Sequence, residues 1–368
     1  MNEYNPGCGT PHSTTLKQLG WTEEHEDAFS KYTGPYVPGR VACRQKTVWD
    51  VLTEDGPVTA GISGALRKLG RFPAIGDFIV LLRQPESAVL IIVDILPQKT
   101  RFMRGMAGRD GTDQVIAANV DVVFIVTAAG SDLNARRTER YLAIAHAAGA
   151  RPVILINKAD LADDPAGLAG AIAPATAGIP VIILSAKSGE GIGQLGPYLM
   201  PGTTIALIGS SGVGKSTLIN RLLDRPVQET SGTREFDGKG RHTTTVRELF
   251  VLKSGALMID NPGLREVGIG TASEGIADTF PDILARAQEC RFSDCRHENE
   301  PGCAVLAAVR RGELDPARLE NYRRLMKELA FGQKKASLGL VRLEREKMKG
   351  IGKMARDIEK TKKELREW

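Results

Sequence analysis

The chain has 368 residues, of which 42% are apolar and 25% are charged. This composition is typical of globular proteins and excludes wholesale disorder and fibrous repeats, while the length predicts two or three domains of about 150 residues each. No apolar run approaches the roughly 18 residues of a membrane helix, and the N-terminus lacks the features of a secretory signal. We therefore expect a cytoplasmic protein without a membrane segment.

The positive charge of the chain is concentrated at its C-terminal end. The 49 Lys and Arg residues exceed the 44 Asp and Glu residues, for a formal net charge of +5, which mildly favours an anionic partner. Residues 334–368 contain 12 basic and 6 acidic residues, interspersed with apolar ones. This tail is predicted either to lie as a helix on RNA or on the rest of the protein, or to form a solvent-exposed helix with internal ion pairs.

In chain order, the first 35 residues are polar and lack a sustained period, which predicts a loose N-terminal arm with a short helix around 16–29. Gly and Pro then separate short β-like runs at intervals of roughly 8–15 residues, a spacing typical of a small antiparallel barrel or sandwich. These runs are 40–52, 56–61, 77–82 and 88–95. The basic, Gly-containing stretch 99–114 is predicted to be a linker.

After this stretch the pattern changes. Apolar strands of the buried type alternate with segments of helix length, which predicts a parallel β-sheet with helices on both faces. The predicted strands are 120–126, 152–156, 181–184, 204–208 and 257–259. Beyond residue 270 the pattern becomes helical, with predicted helices at 280–287, 304–311 and 316–329.

The strongest chemical signal is segment 209–217, which fits the pattern G-x-x-x-x-G-K-S/T between an apolar strand and a helical segment. Its glycines allow backbone N–H groups to surround phosphate oxygens at a helix N-terminus, whereas a glycine-rich turn without a ligand is the weaker alternative. We expect Lys215 to reach the β- and γ-phosphates and Ser216 to ligate Mg²⁺. The predicted nucleotide-binding residues are Gly209, Ser210, Ser211, Gly212, Val213, Gly214, Lys215, Ser216 and Thr217.

Two further motifs follow strands of the same predicted sheet. They are predicted to bind the base of the nucleotide. One runs from Asn157 to Asp160, and the other from Ser185 to Lys187. The Asp160 carboxylate offers two acceptors for the N1–H and 2-amino donors of guanine, which adenine lacks. An ATPase or small-molecule kinase remains the alternative if Asp160 has no such role. The predicted guanine site comprises Asn157, Lys158, Asp160, Ser185, Ala186 and Lys187.

A third motif, residues 260–263, ends the strand 257–259. A carboxylate at the C-terminal end of a parallel strand beside a phosphate loop suits the coordination shell of Mg²⁺, so we expect Asp260 to act there together with Ser216. The N–H of Gly263 can bond the γ-phosphate. Between the phosphate loop and this motif, Thr244 belongs to a hydroxyl-rich segment expected of a switch loop.

Three cysteines and a histidine occur close together near residue 300. They are Cys290, Cys295, His297 and Cys303. Three sulfurs and one imidazole match a closed tetrahedral site for structural zinc, without an open position for catalysis; buried thiols beside a surface histidine are the alternative. Five cysteines in all are too few for a disulfide framework, and we expect Cys8 and Cys43 to have no chemical role.

The order of these motifs resembles a known family. Motifs NKAD, SAK, GSSGVGKS, the threonine loop and DNPG look like the five motifs of translation-factor-type GTPases, with the two base-reading motifs placed before the phosphate loop. With a small β domain before them and a Cys/His cluster after them, they resemble the circularly permuted ribosome small-subunit-dependent GTPase A family, over about residues 36–330. The resemblance implies Mg²⁺-dependent hydrolysis of GTP to GDP and phosphate, stimulated by the small (30S) ribosomal subunit. It also implies a role in late maturation of that subunit, rRNA binding, and release after hydrolysis.

Two positions depart from usual GTPase patterns. Leu264 follows the DNPG motif, where many GTPases have a Gln that orients the attacking water. The family that this chain resembles shares a hydrophobic residue there, which implies slow intrinsic hydrolysis. His242 is the best candidate in the chain to orient or deprotonate the water, with an ordinary exposed loop histidine as an equal alternative. Asn261 replaces the family's usual Thr, and we expect little effect on nucleotide binding.

The β domain resembles an oligonucleotide-binding (OB) barrel, whose exposed face often binds nucleic acid. The candidate RNA contacts are basic side chains and two aromatic rings that could stack on bases. They are Arg40, Arg44, Lys46, Arg67, Lys68, Arg71, Arg83, Trp49 and Phe72. The alternative is a solvated charged face, with the aromatic residues in the core.

The predicted fold class is therefore a multi-domain protein: an OB-fold β-barrel, a circularly permuted α/β P-loop GTPase domain and a small zinc-binding α-helical subdomain. The expected bounds are 1–35 for the arm, 36–110 for the barrel, 111–270 for the GTPase domain, 271–331 for the helical subdomain and 332–368 for the basic tail. Expected cofactors are one structural zinc ion and magnesium with GTP. Expected partners are the small ribosomal subunit and its rRNA, with a monomer as the default. The competing function is an RNA-binding assembly placeholder whose nucleotide state sets its affinity, with turnover incidental.

Overall fold

The structure is a computed structural model. It describes residues 14–84, 87, 89–104, 114–130, 132–176, 178–226, 248–260 and 273–338. These residues form a short packed arm, a closed β-barrel, an α/β sheet and a group of helices that follows the sheet.

The described part of the N-terminal arm packs against the barrel. It contains helix α1 (Glu23–Phe29), and the side chains of Leu19 and His25 are buried. The His25 ring lies 4.3 Å from the ring of Phe78, between centroids. The expectation of a loose arm is therefore wrong for residues 14–35, because their few apolar side chains complete a core that the barrel supplies.

The barrel is closed by five strands. They are β1 (Tyr36–Arg44), β2 (Trp49–Thr53), β3 (Gly56–Ile62), β4 (Phe78–Leu82) and β5 (Leu90–Ile95). The order is β1-β2-β3-β5-β4, and β4 pairs again with β1. All neighbouring pairs are antiparallel except β3 and β5, and helix α2 (Gly64–Lys68) connects β3 to β4. This topology is that of an OB fold and confirms the predicted barrel.

An antiparallel ribbon connects the barrel to the sheet. It consists of β6 (Arg101–Arg104) and β7 (Gln114–Ala118). The stretch that the sequence indicated as a linker thus contributes a strand whose Phe102 side chain is buried. A strand of four residues is too short to show a convincing alternation of apolar and polar residues.

The α/β sheet has the order β10-β9-β8-β11-β13-β12. Its strands are β8 (Val122–Ala128), β9 (Arg151–Asn157), β10 (Val181–Ile183), β11 (Thr204–Gly209), β12 (Glu248–Val251) and β13 (Leu257–Asp260). Its helices are α3 (Ala135–Ala147), α4 (Leu168–Ile172) and α5 (Lys215–Leu223). All seven residues of β8 are buried, as expected for a parallel strand covered on both faces. The five predicted strands are present with small shifts of their ends.

Strand β12 was not predicted, and it joins the two sheets. It runs antiparallel to β13 and also pairs with β1, where Cys43 lies opposite Glu248. The barrel and the α/β sheet are therefore continuous through β1. Burial raises the pKa of the Cys43 thiol to about 11, which agrees with the expectation that this cysteine has no chemical role.

Four helices follow the sheet in the described residues: α6 (Glu274–Thr279), α7 (Pro281–Ala287), α8 (Ala304–Arg310) and α9 (Pro316–Leu338). Of these, α6 and α9 contact α3, whereas α7 and α8 pack against each other. A Cβ at Gly275 of α6 would lie 2.3 Å from the carbonyl oxygen of Ala143 and 2.7 Å from the Cβ of Ala147. Glycine therefore permits a helix contact that any larger residue would push apart. Within the described residues, no helix has the length and apolar content of a membrane span.

Candidate functional site

The phosphate loop, residues 209–217, connects the end of β11 to the start of α5. Gly209, Gly212 and Gly214 have φ angles of 151°, 81° and 93°. A Cβ at Gly209 would lie 2.2 Å from the carbonyl oxygen of Val126. Glycine at these positions lets the loop turn tightly at the N-terminus of α5, where backbone N–H groups and the helix dipole favour an anion.

Lys215 is the first residue of α5, and its side chain folds back over the phosphate loop. Only 9% of the residue is exposed, and its Nζ donates a hydrogen bond of 2.9 Å to the carbonyl oxygen of Gly209 and another to that of Ser210. These contacts hold the ammonium group at the loop. A positive charge held in this way is suited to phosphate oxygens.

Asn157 connects the phosphate loop to the other predicted nucleotide motifs. Its Nδ2 donates to the carbonyl oxygen of Val213 at 2.8 Å, and its Oδ1 accepts from the N–H of Ala186 at 2.8 Å. Asn157 is 2% exposed, so both groups of its amide are satisfied inside the protein. Residues that are far apart in the chain therefore belong to one continuous site.

The remaining described residues of the two base motifs lie beside Asn157. Lys158 has a left-handed φ of 62°, which turns the chain sharply at the end of β9. Ser185 is buried, and its Oγ accepts a hydrogen bond of 3.1 Å from the N–H of Ser188. Asp160 follows in a helical turn.

Two arginines that were not among the predicted residues also belong to this site. Arg221 of α5 donates to the carbonyl oxygens of Ala186 at 2.7 Å and Lys187 at 2.6 Å, which ties α5 to the 185–187 motif. Arg137 of α3 donates to Ser210 Oγ at 2.7 Å. No short motif marks either arginine, because their contacts depend on how α3 and α5 pack.

The predicted magnesium and catalytic residues are only partly described. Asp260 ends β13, which lies next to β11 in the sheet, so its carboxylate is at the edge where the phosphate loop begins. Ser216 lies in the first turn of α5. The other predicted residues of this group, His242, Thr244 and Gly263, lie outside the described residues, as do Asn261 and Leu264.

The four predicted metal ligands are brought together. Their donor atoms all lie within 4.8 Å of one another. The Sγ atoms of Cys290 and Cys303 are 3.8 Å apart, and the Nδ1 of His297 lies 3.6 Å and 3.4 Å from them. Tetrahedral zinc with ordinary bond lengths separates two sulfurs by about 3.8 Å and a sulfur from a nitrogen by about 3.6 Å. The cluster Cys290, Cys295, His297 and Cys303 can therefore hold a metal ion with this geometry.

Two of the four ligands, His297 and Cys290, are shifted toward the protonation state that a metal requires, whereas burial raises the pKa of the Cys295 thiol. Burial lowers the pKa of His297 below its ordinary value, which favours the neutral imidazole that a metal requires. Burial raises the pKa of Cys290, but hydrogen bonds from the N–H groups of Val305 and Ala304 outweigh it, and the pKa lies below its ordinary value. Cys303 caps α8, where its Sγ accepts from the N–H of Leu306 at 3.4 Å.

A groove of about 960 Å³ lies between the barrel and the β6–β7 ribbon. We call it the basic groove because four cationic side chains and one aromatic ring line it: Lys31, Arg44, Arg71, Arg101 and Phe72. Phe72 is 40% exposed, and the Arg44 guanidinium lies 5.4 Å from its ring centroid. Among the described residues, neither Arg44 nor Arg101 has a carboxylate partner, whereas Arg71 lies 3.7 Å from Asp94.

Two of the candidate RNA contacts are wrong because they are buried. Trp49 is 2% exposed and Arg40 is 1% exposed. The Arg40 guanidinium donates to the carbonyl oxygens of Gly76 at 3.2 Å, Asn119 at 3.0 Å and Leu19 at 2.5 Å, and burial lowers its pKa to about 10. Arg40 therefore joins the barrel, the sheet and the arm.

Four other candidate contacts are exposed but do not line the basic groove: Lys46, Arg67, Lys68 and Arg83. Arg83 forms an ion pair with Asp55 at 2.7 Å, so its positive charge already has a carboxylate partner. Lys46, Arg67 and Lys68 lie on the barrel surface. Of the nine candidates, Arg44, Arg71 and Phe72 are thus the ones that the structure gathers around one cavity.

A family model and several known proteins are similar to this chain. A family model described as RsgA GTPase matches residues 95–270. The protein named small ribosomal subunit biogenesis GTPase RsgA from Methanosarcina acetivorans is 55% identical over 357 residues, which cover 97% of this chain and 96% of that protein. Its namesake from Opitutus terrae is 44% identical over 359 residues, with 93% and 98% covered.

Two solved structures share the fold. YjeQ from Thermotoga maritima superposes with a TM-score of 0.61 at 27% identity, over 80% of this chain and 99% of that one. YloQ, described as a circularly permuted GTPase, gives a TM-score of 0.58 at 25% identity, over 80% and 95%. The arrangement in which the base motifs precede the phosphate loop therefore has structural counterparts.

Proposed function

This chain belongs to the RsgA GTPase family, and on that premise we propose that it hydrolyses GTP to GDP and phosphate during maturation of the small ribosomal subunit. The observation that carries the nucleotide site is the pair of hydrogen bonds made by the buried amide of Asn157, to Val213 and Ala186. The Asn157 side chain thereby holds the phosphate loop and the base motifs at a fixed separation. One nucleotide would span this separation, with its phosphates at the loop and its base at the base motifs.

We assign the roles as follows. Backbone N–H groups of the phosphate loop bind the phosphates, and Lys215 neutralises charge on the β- and γ-phosphates. Ser216 and Asp260 would hold the magnesium ion that accompanies GTP, and this ion would supply positive charge beside the phosphates. Thr244 and Gly263 contact the γ-phosphate, and His242 orients or deprotonates the attacking water.

The base motifs give the site its preference for guanine. Lys158, Ser185 and Lys187 surround the base, and the Asp160 carboxylate accepts from its N1–H and 2-amino groups. Xanthine carries an oxygen where guanine has the 2-amino group. An amide at position 160 can donate a hydrogen bond to that oxygen and should therefore bind xanthine in place of guanine. We expect Asp160→Asn to lose GTP binding and to gain XTP binding, whereas a 100-fold excess of ATP should not displace GTP from the unsubstituted protein. Displacement by ATP would contradict the assignment.

The ribosomal part of the proposal is tested by GTP hydrolysis with and without purified small subunits. Strong stimulation by small subunits, with large subunits as the control, supports the proposal. A slow rate that neither subunit changes contradicts stimulation by the ribosome and leaves nucleotide binding intact.

We propose that the Cys₃His cluster holds one structural zinc ion. The proposal is supported by the match between the donor separations of 3.8, 3.6 and 3.4 Å and tetrahedral zinc, and by a donor set that leaves no position open for substrate. Elemental analysis of the purified protein should give one zinc per chain.

The basic groove is the surface that we propose binds rRNA. Arg44 and Arg101, which have no carboxylate partner among the described residues, suit the phosphate backbone, and the exposed face of Phe72 suits an unstacked base. We expect Arg44→Ala to weaken binding of single-stranded RNA about fivefold and to reduce the salt dependence of binding by about one phosphate contact. Lys46→Ala, on the barrel surface outside the groove, is the matched control and should leave both values unchanged. We further propose that the protein acts as a monomer in the cytoplasm.

The competing function, an RNA-binding placeholder with incidental turnover, is favoured by Leu264, which cannot hydrogen-bond the attacking water. Lys215→Ala separates the two functions. If cells carrying Lys215→Ala fail to mature small subunits although the variant still binds them, turnover is required. If maturation proceeds normally, the placeholder is the better account.

A further inference from the structure

The first turns of α3 contact two parts of the molecule at once. On one side, Arg137 donates to Ser210 Oγ of the phosphate loop at 2.7 Å and forms an ion pair with Asp132. Asp132 is itself held at the end of β8, because its carbonyl oxygen accepts from Thr127 Oγ1 at 3.0 Å. The Arg137 guanidinium is therefore fixed in orientation although 40% of its side chain is exposed.

On the other side, α3 contacts the helices of the metal-binding region. The Glu139 carboxylate accepts from Arg318 Nη1 and from Asn321 Nδ2, both of α9, at 2.5 Å each. The side chains of Glu139 and Arg318 are 3% and 6% exposed. The next residue of α3, Arg140, donates from Nη2 to Glu328 Oε1, farther along α9, at 2.9 Å.

These contacts tie α3 to the helices around the Cys₃His cluster, α6 to α9, which we call the metal-binding helices. Arg318 also donates to the two carboxylate oxygens of Asp282 in α7, at 2.9 and 2.7 Å, so one guanidinium connects α3, α7 and α9. Separating a buried ion pair leaves uncompensated charge and is strongly unfavourable. Close packing at Gly275 adds a second constraint, because α6 cannot slide on α3 without opening a gap.

We propose that Arg137 is a positioning residue that links occupation of the phosphate loop to the position of the metal-binding helices. The inference rests on the proposed function, because it requires a nucleoside triphosphate in the loop. The phosphates bring negative charge to the loop, and the Arg137 guanidinium, already bonded to Ser210, responds to it. Helix α3 then carries the displacement to α9 through the Glu139–Arg318 ion pair.

Thermodynamic linkage gives the proposal a measurable form. If nucleotide binding changes the free energy of α9, then a change at Arg137 must alter nucleotide affinity and the response of α9 together. The effect should be larger for the triphosphate than for GDP, because the triphosphate adds a further negative charge near the guanidinium. A side chain that only supported the fold would affect both nucleotides equally.

The first test is hydrogen exchange of the full-length, metal-loaded protein, with and without a non-hydrolysable GTP analogue and Mg²⁺. In the unsubstituted protein we expect the analogue to change the exchange rates of α9 amides. In Arg137→Ala, at a concentration that saturates its site, this response should disappear. The matched control is Arg151→Ala, which removes an arginine that lies on the Tyr198 ring, and it should keep the full response. An unchanged α9 response in Arg137→Ala overturns the proposal.

The second test measures affinity. Arg137→Ala should weaken binding of the GTP analogue about fivefold and binding of GDP less. Ser210→Ala should have a similar effect, and the double variant should be no weaker than either single one, because both remove the same interaction. Arg137→Lys keeps the charge and should restore part of the affinity, which guards against a folding defect in Arg137→Ala. Additive effects of the two alanine variants contradict the proposal.

Different results would contradict the proposed function and the role of Arg137. If the unsubstituted protein binds no guanine nucleotide, the proposed function fails. If it binds nucleotide and Arg137→Ala behaves like Arg151→Ala in both tests, the proposed function stands and only the role of Arg137 is wrong.

Discussion

The phosphate loop and the basic groove both present positive charge to a phosphate-bearing partner, but their charges come from different kinds of structure. The loop is one contiguous segment, and its geometry depends on backbone N–H groups, three glycines with positive φ and a lysine bonded to its own loop. The groove is assembled from side chains of the arm, the barrel and the ribbon. An anion site made from backbone is therefore local in sequence, whereas one made from side chains depends on how separate elements pack.

Two arginines of β1 show the same contrast at closer range. Arg40 and Arg44 are four residues apart, but a register shift in β1 lies between them. Arg40 pairs with Leu52 and Arg44 with Trp49, so the two arginines lie on opposite faces of the strand. Arg40 is 1% exposed and bonds three carbonyl groups, whereas Arg44 is exposed and lies over the Trp49 and Phe72 rings. Arg40 is structural and Arg44 is exposed because carbonyl groups surround the first guanidinium, whereas the second lies over aromatic rings at the surface.

The largest expected effect is at the phosphate loop. Lys215→Ala should lower the rate of GTP hydrolysis at saturating GTP at least about 100-fold, because a charge aimed at the transferred phosphate is lost. Single-turnover release of phosphate measures it. Lys253→Ala, which removes an exposed lysine paired with Asp224, is the matched control and should hydrolyse GTP normally. Full activity of Lys215→Ala would mean that the loop binds nucleotide without catalysing its hydrolysis.

The next effect concerns the metal cluster, whose ligands are side chains but come from one short segment. Cys303→Ser should reduce bound zinc from one equivalent to nearly none and lower the midpoint of thermal unfolding by roughly 5–10 °C, since metal binding contributes to folding free energy. Elemental analysis and calorimetry measure the two quantities. Cys43→Ala changes a buried cysteine outside the cluster and should keep the zinc. Retention of zinc by Cys303→Ser would exclude the proposed ligand set.

The third effect separates the two arginines of β1. Arg40→Met should lower the free energy of unfolding by about 3 kcal/mol, because three buried carbonyl groups lose their donor. Arg44→Ala should change it by less than about 0.5 kcal/mol, as expected for an exposed side chain. Urea unfolding at pH 7 measures both variants. Equal losses in the free energy of unfolding would show that buried Arg40 contributes no more to stability than exposed Arg44 does.

The smallest effect is a pH dependence of the arm. Burial, with the nearby charges of Lys99 and Arg40, lowers the pKa of His25 from 6.5 to about 4. The neutral imidazole therefore contributes stability that is present above pH 6.5 and is lost as the pH falls toward 4. Between pH 6.5 and 5 this loss should be about 2 kcal/mol.

Urea unfolding at several pH values tests this expectation. His25→Gln has no group that titrates in this range, so its stability should fall less steeply between pH 6.5 and 5 than that of the unsubstituted protein. The two proteins should show parallel behaviour above pH 7.5. Equal slopes in the acid range would mean that His25 is solvated when it becomes charged.

Sequence patterns predicted the elements whose geometry is local. The phosphate loop, the strands that precede the base motifs and the spacing of the cysteine and histidine ligands are all short segments, because one strand end, one helix start or one metal ion organises each of them. The barrel also followed from the spacing of its β-like runs. The short helix of the arm was also predicted, and α1 lies within the expected range. The packing of the arm, strand β12 and the β6–β7 ribbon did not follow from the sequence, since their few apolar residues become meaningful only beside the surfaces that they cover.

Only the tertiary structure decided which charged side chains are structural and which face solvent. Nothing in the chain distinguishes Arg40 from Arg44, or marks Arg137 and Arg221 among the other arginines. The environment of a long cationic side chain depends on carbonyl groups, rings and carboxylates from distant segments, such as Leu19 and Asn119 for Arg40. Residue type alone therefore identified the chemistry available to this protein, and packing selected the residues that use it.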